Sequence, residues 1–132
     1  MVHVALAFLM AVTAGENKSL DYETALAVSQ KESKPLVVLI GAPWCASCQV
    51  MKRDTIEPMM KSGKLENVVV TFVDKDVQPE LAQQLMKGET LPQIVVFAKQ
   101  PGGWKRFSLT GMQSQNRMAE LLGKATQPET LR

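Results

Sequence analysis

The chain has 132 residues, which is enough for one domain with a sizeable apolar core. Hydrophobic residues make up 45% of the sequence and charged residues 21%, as is usual for a globular protein. The formal net charge of +2 is too small to indicate an anionic partner, so we expect no binding to nucleic acid.

The first fourteen residues resemble a short export signal. Residues 2–12 are almost wholly apolar, and Val12-Thr13-Ala14 offers the small residues expected before a cleavage site. The stretch is shorter than the ~20 residues of a membrane span, so we predict no membrane-spanning segment. No Lys or Arg precedes the apolar run, and the alternatives are a segment of the domain itself or a start site inside a longer leader.

Export would place the protein in the bacterial periplasm or another extracytoplasmic compartment, where disulfides persist. Without a signal at residues 1–14 the protein would be cytoplasmic. The remaining residues, 15–132, are predicted to form a single domain.

Helix and strand patterns alternate along this domain. In chain order they predict a helix at 19–31, a strand at 36–40, a helix from 45 to 57, a short helix at 58–61, a strand at 68–73, a helix at 79–86, strands at 93–98 and 104–109, and a helix at 113–124. The run at 36–40 is apolar throughout, as expected of a strand buried on both faces. The helix from residue 45 is expected to end before Pro58, because proline disfavours a helical residue before it.

The order of these elements predicts an α/β fold. Strands separated by helices should pair in parallel through right-handed crossovers, and the last two strands should form an antiparallel hairpin. We therefore expect three layers, α/β/α, around a mixed central sheet of about four strands.

The most informative motif is Trp-Cys-Ala-Ser-Cys at residues 44–48, which holds the only two cysteines. It follows the apolar strand and opens a helix, where unpaired backbone N–H groups and the helix dipole favour a thiolate. Cys48 could then attack a mixed disulfide formed at Cys45 and release the product. The only histidine is His3, so a histidine-assisted nucleophile and a Cys/His zinc site are excluded for the rest of the chain.

Two other interpretations of the cysteine pair remain open. A static disulfide is one, although a bridge across so short a loop stabilises the fold little. Binding of Cu(I) is the other, because two thiolates suit that ion and Met51 lies one helical turn from Cys48. Methionine at helical spacing is more often part of the core.

The motif at residues 44–48, the Leu91-Pro92 step before the third strand and the element order resemble the thioredoxin superfamily over about residues 18–125. The stretch WCASCQVMKRDTIEP at 44–58 is most similar to the exported thioredoxin-like branch. That branch includes the C-terminal domain of the bacterial transmembrane thiol:disulfide reductase. SLTG at 108–111 resembles the end of the last strand in that domain.

The resemblance implies a thiol–disulfide oxidoreductase that acts on protein disulfides, with Cys45 as the exposed nucleophile and Cys48 as the more buried resolving thiol. Pro92 would be a cis-proline facing the cysteines, and the backbone of Leu91 would pair with an extended substrate segment. Trp44 would shield one side of the dithiol and offer an apolar contact.

The expected partners are protein thiols or disulfides and a redox partner that recycles the dithiol. We expect a monomer, and no metal, nucleotide or flavin cofactor is implied. The alternative from another functional class is a non-catalytic binding module, or a Cu(I) carrier, that uses the same cysteine pair.

Two positions depart from the pattern of these relatives. Leu39 stands where thioredoxins usually carry a buried acid, six residues before the first cysteine. Lys52 stands where the reductase domain has an acid, four residues after the second cysteine. Loss of negative charge favours a thiolate and predicts a more oxidising couple. A buried acid can also accept the proton of the resolving thiol, so reduction, oxidation and isomerisation all remain open as the direction of flow.

Overall fold

The computed structural model of the chain describes residues 19–127. The predicted signal segment, residues 1–14, lies outside them. In order, the described chain forms α1 (Tyr22–Glu32), β1 (Leu36–Gly41), α2 (Ala46–Met51), a π-helical turn (Lys52–Ile56), α3 (Glu57–Lys61), β2 (Val69–Asp74), α4 (Pro79–Leu85), β3 (Gln93–Gln100), β4 (Gly103–Thr110) and α5 (Gln115–Thr126). The strands begin and end within two residues of the bounds predicted from the sequence.

The four strands form one mixed sheet in the order β2-β1-β3-β4. β1 runs parallel to β2, with Leu36 opposite Val69, and antiparallel to β3. β3 and β4 form the predicted antiparallel hairpin. The prediction that strands separated by a helix pair in parallel is therefore confirmed for β1 and β2. It is wrong for β3, which pairs with the other edge of β1 in the antiparallel direction.

The burial of each strand explains this order. β1 and β3 are buried at nearly every position, so each is best placed in the centre of the sheet with helices over both faces. β2 alternates buried and half-buried residues, and β4 is mostly half-exposed, which suits the outer positions. A pattern of four runs along the chain does not by itself reveal which of them will be neighbours.

Helices cover both faces of the sheet and confirm the three-layer α/β/α fold. One face of the sheet packs on α2, the π turn, α3 and α5, through a core whose helical members include Met51, Ile56, Met59, Met118 and Leu122. The other face packs on α1 and α4, through residues that include Ala25, Ala82 and Leu85. Successive residues of β1 point alternately into the two cores, as strand geometry requires.

The helix that starts after Cys45 does not break before Pro58, contrary to the prediction. A π turn precedes the proline, and the N–H of Glu57 bonds the carbonyl of Lys52, five residues back. Pro58 has no N–H to donate to the carbonyl of Asp54. Gln115 Nε2 donates to that oxygen instead, at 3.3 Å. The wider turn and the side chain from α5 together let the helix continue through the proline.

Candidate active site

The position of Cys45 follows from the local sequence. The apolar strand β1 ends at Gly41, and Cys45 is the N-cap of α2 with an extended backbone, at φ −84° and ψ 104°. The N–H of Cys48 donates to Cys45 Sγ at 3.2 Å. The sulfur thus takes the place of the side-chain oxygen that usually accepts from the first turn of a helix. An N–H donor and the helix dipole both favour negative charge on this sulfur.

Cys45 and Cys48 are joined in a disulfide, with their Cα atoms 5.2 Å apart. The relative exposure of Cys45 is 7% and that of Cys48 is 4%. The expectation of an exposed nucleophile is therefore not met in this disulfide form, because both cysteines belong to a small apolar cluster with Ala42, against which Leu91 packs. The two sulfurs differ in their position on α2, because Cys45 lies at the start of the helix, where a thiolate is stabilised.

Ser47 contributes a hydroxyl that sequence reasoning did not single out. Its Oγ lies 3.4 Å from Cys45 Sγ. When Cys45 is a thiolate, this hydroxyl can donate to it and add to the N–H of Cys48. In the sequence the only indication of this role is a hydroxyl residue in the first helical turn after the N-cap, and that pattern is weakly specific.

Leu91 and Pro92 lie on the same side of the molecule as the cysteines. Leu91 packs on the disulfide, Pro92 is buried, and the peptide bond between them is cis. The N–H of Gly111 donates to the carbonyl of Pro92 at 2.7 Å, which holds the turn after β4 against this loop. Within residues 19–127 the backbone N–H and C=O of Leu91 form no hydrogen bond, so both are available to an extended segment.

Trp44 is exposed to solvent, with a relative exposure of 68%. Its Nε1 donates to Asp76 Oδ2 at 2.7 Å, and this bond ties the ring to the loop after β2. Val77 and Met112 are further exposed apolar residues on neighbouring loops. Val77 follows Asp76 in the chain, and Met112 follows the Gly111 that is bonded to Pro92. Exposed apolar side chains on several loops near a reactive group are typical of an interaction surface.

A cavity of about 250 Å³ is lined in part by Cys48. The lining residues come from β1, β2, the loop after β1 and α2 with its π turn, and they are Leu39, Gly41, Ala42, Pro43, Cys48, Gln49, Lys52, Phe72, Val73 and Asp74. Lys52 Nζ lies 4.6 Å from the centre of the Phe72 ring, within the range of a cation–π contact. The two positions that depart from the relatives, 39 and 52, therefore border one cavity beside Cys48.

Met51 is fully buried in the core beneath α2. Its side chain packs on the sheet, which is the core role that methionine at helical spacing usually has. In the described part of the chain, no three His, Cys, Asp or Glu side chains come together as a metal-binding group would require. Nor does any helix between residues 19 and 127 have the length and apolar character to cross a membrane.

A family model described as thioredoxin-like matches residues 16–99. The chain belongs to the thioredoxin-like family. Comparison with curated protein sequences finds no match.

Solved structures of thioredoxins are similar to this thioredoxin-like chain. The thioredoxin from Thermus thermophilus is 25% identical, with a TM-score of 0.67 over 81% of this chain and 85% of that one. Chloroplastic thioredoxin z is 23% identical, with a TM-score of 0.66 over 82% and 92%. The thioredoxin of Fasciola hepatica is 19% identical, with a TM-score of 0.62 over 76% and 90%. At these identities the likeness establishes the fold. A thioredoxin-like fold with a disulfide-bonded Cys-x-x-Cys pair supports thiol–disulfide redox function.

Proposed function

We propose that this thioredoxin-like protein is a thiol–disulfide oxidoreductase that exchanges disulfides with protein substrates. One observation carries the proposal. Cys45 Sγ sits at the start of α2, accepts the N–H of Cys48 at 3.2 Å, and is joined to Cys48 in a reversible type of bond. A purely structural disulfide has no need of a sulfur placed where its thiolate is stabilised.

The exchange proceeds in two displacement steps. In the reduced protein, the Cys45 thiolate attacks one sulfur of a substrate disulfide, forms a mixed disulfide and displaces the other sulfur as a thiolate, which takes up a proton. Cys48 then loses its proton, attacks Cys45 Sγ and displaces the second substrate sulfur. Two electrons pass to the substrate, and the Cys45–Cys48 disulfide forms. The reverse sequence oxidises a substrate dithiol.

The surface around the disulfide supports a protein as the substrate. The free backbone groups of Leu91 can pair with an extended segment, and the exposed side chains of Trp44, Val77 and Met112 on other loops can add apolar contacts. Main-chain pairing recognises any extended peptide, so this surface favours protein disulfides over one particular small molecule.

Reduction of insulin by dithiothreitol tests the proposal. We expect catalytic amounts of the protein to accelerate the reaction at least about tenfold, as positioned thiolate chemistry allows. The doubly substituted Cys45→Ser/Cys48→Ser protein is the control and should leave the rate at the uncatalysed value. Equal rates with both proteins would favour the redox-inert binding module instead.

We further propose that the protein acts outside the cytoplasm. The support is the apolar segment at residues 2–12 with small residues at 12–14. After expression of the whole chain in a bacterium, we expect the periplasmic fraction to contain a shortened protein whose first residue is Gly15. A protein that keeps residues 1–14 and stays in the cytoplasmic fraction would contradict this.

A further inference from the structure

The loop between α4 and β3 carries Leu91, and its backbone has few bonds of its own. Residues 87–90 are exposed, and within residues 19–127 no backbone–backbone hydrogen bond involves them. Water satisfies the polar groups of such a loop equally well in many conformations. Any fixed orientation of Leu91 therefore depends on side chains that bind the loop.

Gln93 supplies the hydrogen bonds that the loop lacks. It is the first residue of β3, and its relative exposure is 1%. Its Oε1 accepts the N–H of Lys87 at 2.9 Å. Its Nε2 donates to the carbonyl of Lys87 at 2.8 Å and to the carbonyl of Thr90 at 3.0 Å. One buried amide thus joins both ends of the loop.

Both ends of this amide are needed for these contacts. The loop N–H requires an acceptor and the two carbonyls require donors, so the contacts fix which way the amide of Gln93 points. A carboxylate cannot donate, and an apolar side chain can do neither. The backbone groups that are bound belong to an exposed loop, where water could serve them. The specific effect of the buried amide is therefore to fix the conformation of the loop.

The bond to Thr90 also sets the direction of the Leu91 N–H. The Thr90 carbonyl and the Leu91 N–H belong to one peptide unit, which is planar and trans. In a trans unit these two groups point in opposite directions. Because the carbonyl points at buried Gln93, the N–H of Leu91 points away from it, where it has no partner in the described part of the chain.

The backbone on the other side of Leu91 is anchored as well. Gln93 itself is paired in the sheet with Ile40 of β1 and with Thr110 of β4, so the amide extends from a rigid base. The carbonyl of Pro92 accepts the N–H of Gly111. Leu91 therefore lies between two fixed points, and the side chain of Gln93 provides the one before it.

We propose that Gln93 is a positioning residue for substrate binding. It holds the Leu91 N–H in the direction that pairs with a carbonyl of an extended substrate segment. The inference rests on the proposed redox function and names the substrate main chain as the recognised group. Gln93 acts through the peptide unit of Thr90 and Leu91 and takes no part in the exchange itself. Ordering this unit in advance removes an entropy cost that a mobile loop would add to each binding event.

The first test compares the rate constants at which insulin and bis(2-hydroxyethyl) disulfide oxidise the reduced protein. The small disulfide has no peptide groups, and the ratio of the two constants cancels any change in the reactivity of Cys45. We expect Gln93→Met to lower the ratio of insulin to small disulfide about fivefold, on the order of one net hydrogen bond. Gln100→Met is the matched control, because it removes a second buried glutamine, at the far end of β3, and should leave the ratio unchanged.

The second test measures the ¹⁵N order parameter of the Leu91 amide by nuclear magnetic resonance. We expect a value of about 0.85 in the unsubstituted protein and in Gln100→Met, and a fall below about 0.6 in Gln93→Met. If Gln93→Met does not fold, Gln93→Asn takes its place in both tests. Asparagine keeps the amide on a side chain one methylene shorter, which cannot span the same contacts.

Three results would overturn the inference. They are an unchanged ratio in the folded variant, an equal fall of both rate constants, and a Leu91 amide that stays rigid without Gln93. An unchanged ratio with insulin still reduced refutes only the role of Gln93 and leaves the proposed function standing. Oxidation of the unsubstituted protein by the small disulfide, without any reaction with insulin, refutes protein substrates and the role of Gln93 together.

Discussion

Cys45→Ser is expected to lower insulin reduction to the uncatalysed rate, whereas Cys48→Ser is expected to stop the reaction at a covalent complex. A serine hydroxyl at position 45 cannot form the mixed disulfide, so no first step remains. With Cys48→Ser the Cys45 thiolate still attacks, but nothing displaces the bound substrate chain. Non-reducing electrophoresis and mass spectrometry should therefore show the adduct in Cys48→Ser and none in Cys45→Ser.

The comparison of the two variants also assigns the roles. The exposures of the two cysteines are too similar to decide which one attacks first, so the assignment to Cys45 rests on its position at the start of α2. Ser47→Ala is a matched control, because it removes only the neighbouring hydroxyl and should retain turnover. A trapped complex through Cys48 in Cys45→Ser, with none in Cys48→Ser, would reverse the assignment for protein substrates.

Leu39→Asp is expected to cause the largest loss of stability among the substitutions considered, about 3–5 kcal/mol at neutral pH. Leu39 is buried in the core beneath α2 and borders the cavity at Cys48. Truncating a core leucine costs about 2–5 kcal/mol, and the buried carboxylate adds a desolvation penalty. The free energy of unfolding from urea titration measures the effect.

Leu39→Asn is the control for the negative charge, because asparagine has nearly the same shape as aspartate and cannot ionise. The difference between the two variants therefore reports the charge and not the lost packing. Burial raises the pKa of the introduced carboxyl above its ordinary ~3.9. A raised pKa in the folded state favours the protonated form. Stability relative to Leu39→Asn should therefore be greatest below about pH 4, fall as the pH rises through the folded-state pKa, and then level off. A pH-independent difference would mean that water reaches the carboxyl.

The same pair of variants tests the redox poise. A carboxylate at position 39 makes the Cys45 thiolate harder to form, so Leu39→Asp should shift the couple toward reducing relative to Leu39→Asn. The natural protein, with Leu39 and Lys52 in place of two acids, is expected to be more oxidising than the ~−270 mV of thioredoxin. If the unsubstituted protein has a reduction potential at or below that value, and Leu39→Asp does not change it, then positions 39 and 52 do not set the potential of the Cys45–Cys48 couple.

Most of the fold could be predicted because local patterns decide it. The apolar run of β1, the hairpin turn after β3 and the N-cap position of Cys45 are each visible within a few residues. The direction of β3 relative to β1 was predicted wrongly, because it depends on which strands bury both faces, a property of the whole sheet. The continuous helix at Pro58 was missed because the partner of the Asp54 carbonyl is Gln115, distant in sequence.

The candidate site, like the fold, could be predicted only in the parts that depend on local sequence. Its two cysteines follow from their spacing alone, whereas the hydrogen bond from Trp44 to Asp76 joins loops 32 positions apart. Gly41 and Cys48 approach so closely that a Cβ atom built on the glycine would lie 3.0 Å from Cys48 Cβ, and no pattern along the chain reports this approach of β1 to α2. Burial of Cys45 under Leu91 likewise requires the loop before β3 to be folded against it.

The π turn at Lys52–Ile56 accommodates one more residue between the cysteines and Pro58 than a regular α-helix would. A π turn is equivalent to one residue inserted into an α-helix, and the wider turn absorbs that residue without turning the two flanking segments relative to each other. If the same residues formed a regular α-helix, the extra residue would rotate everything before it by about 100° about the axis. With α3 held against the sheet, Cys45 and Cys48 would then face away from Leu91. The wide turn is thus what keeps the cysteines directed at Leu91 at this spacing from the proline.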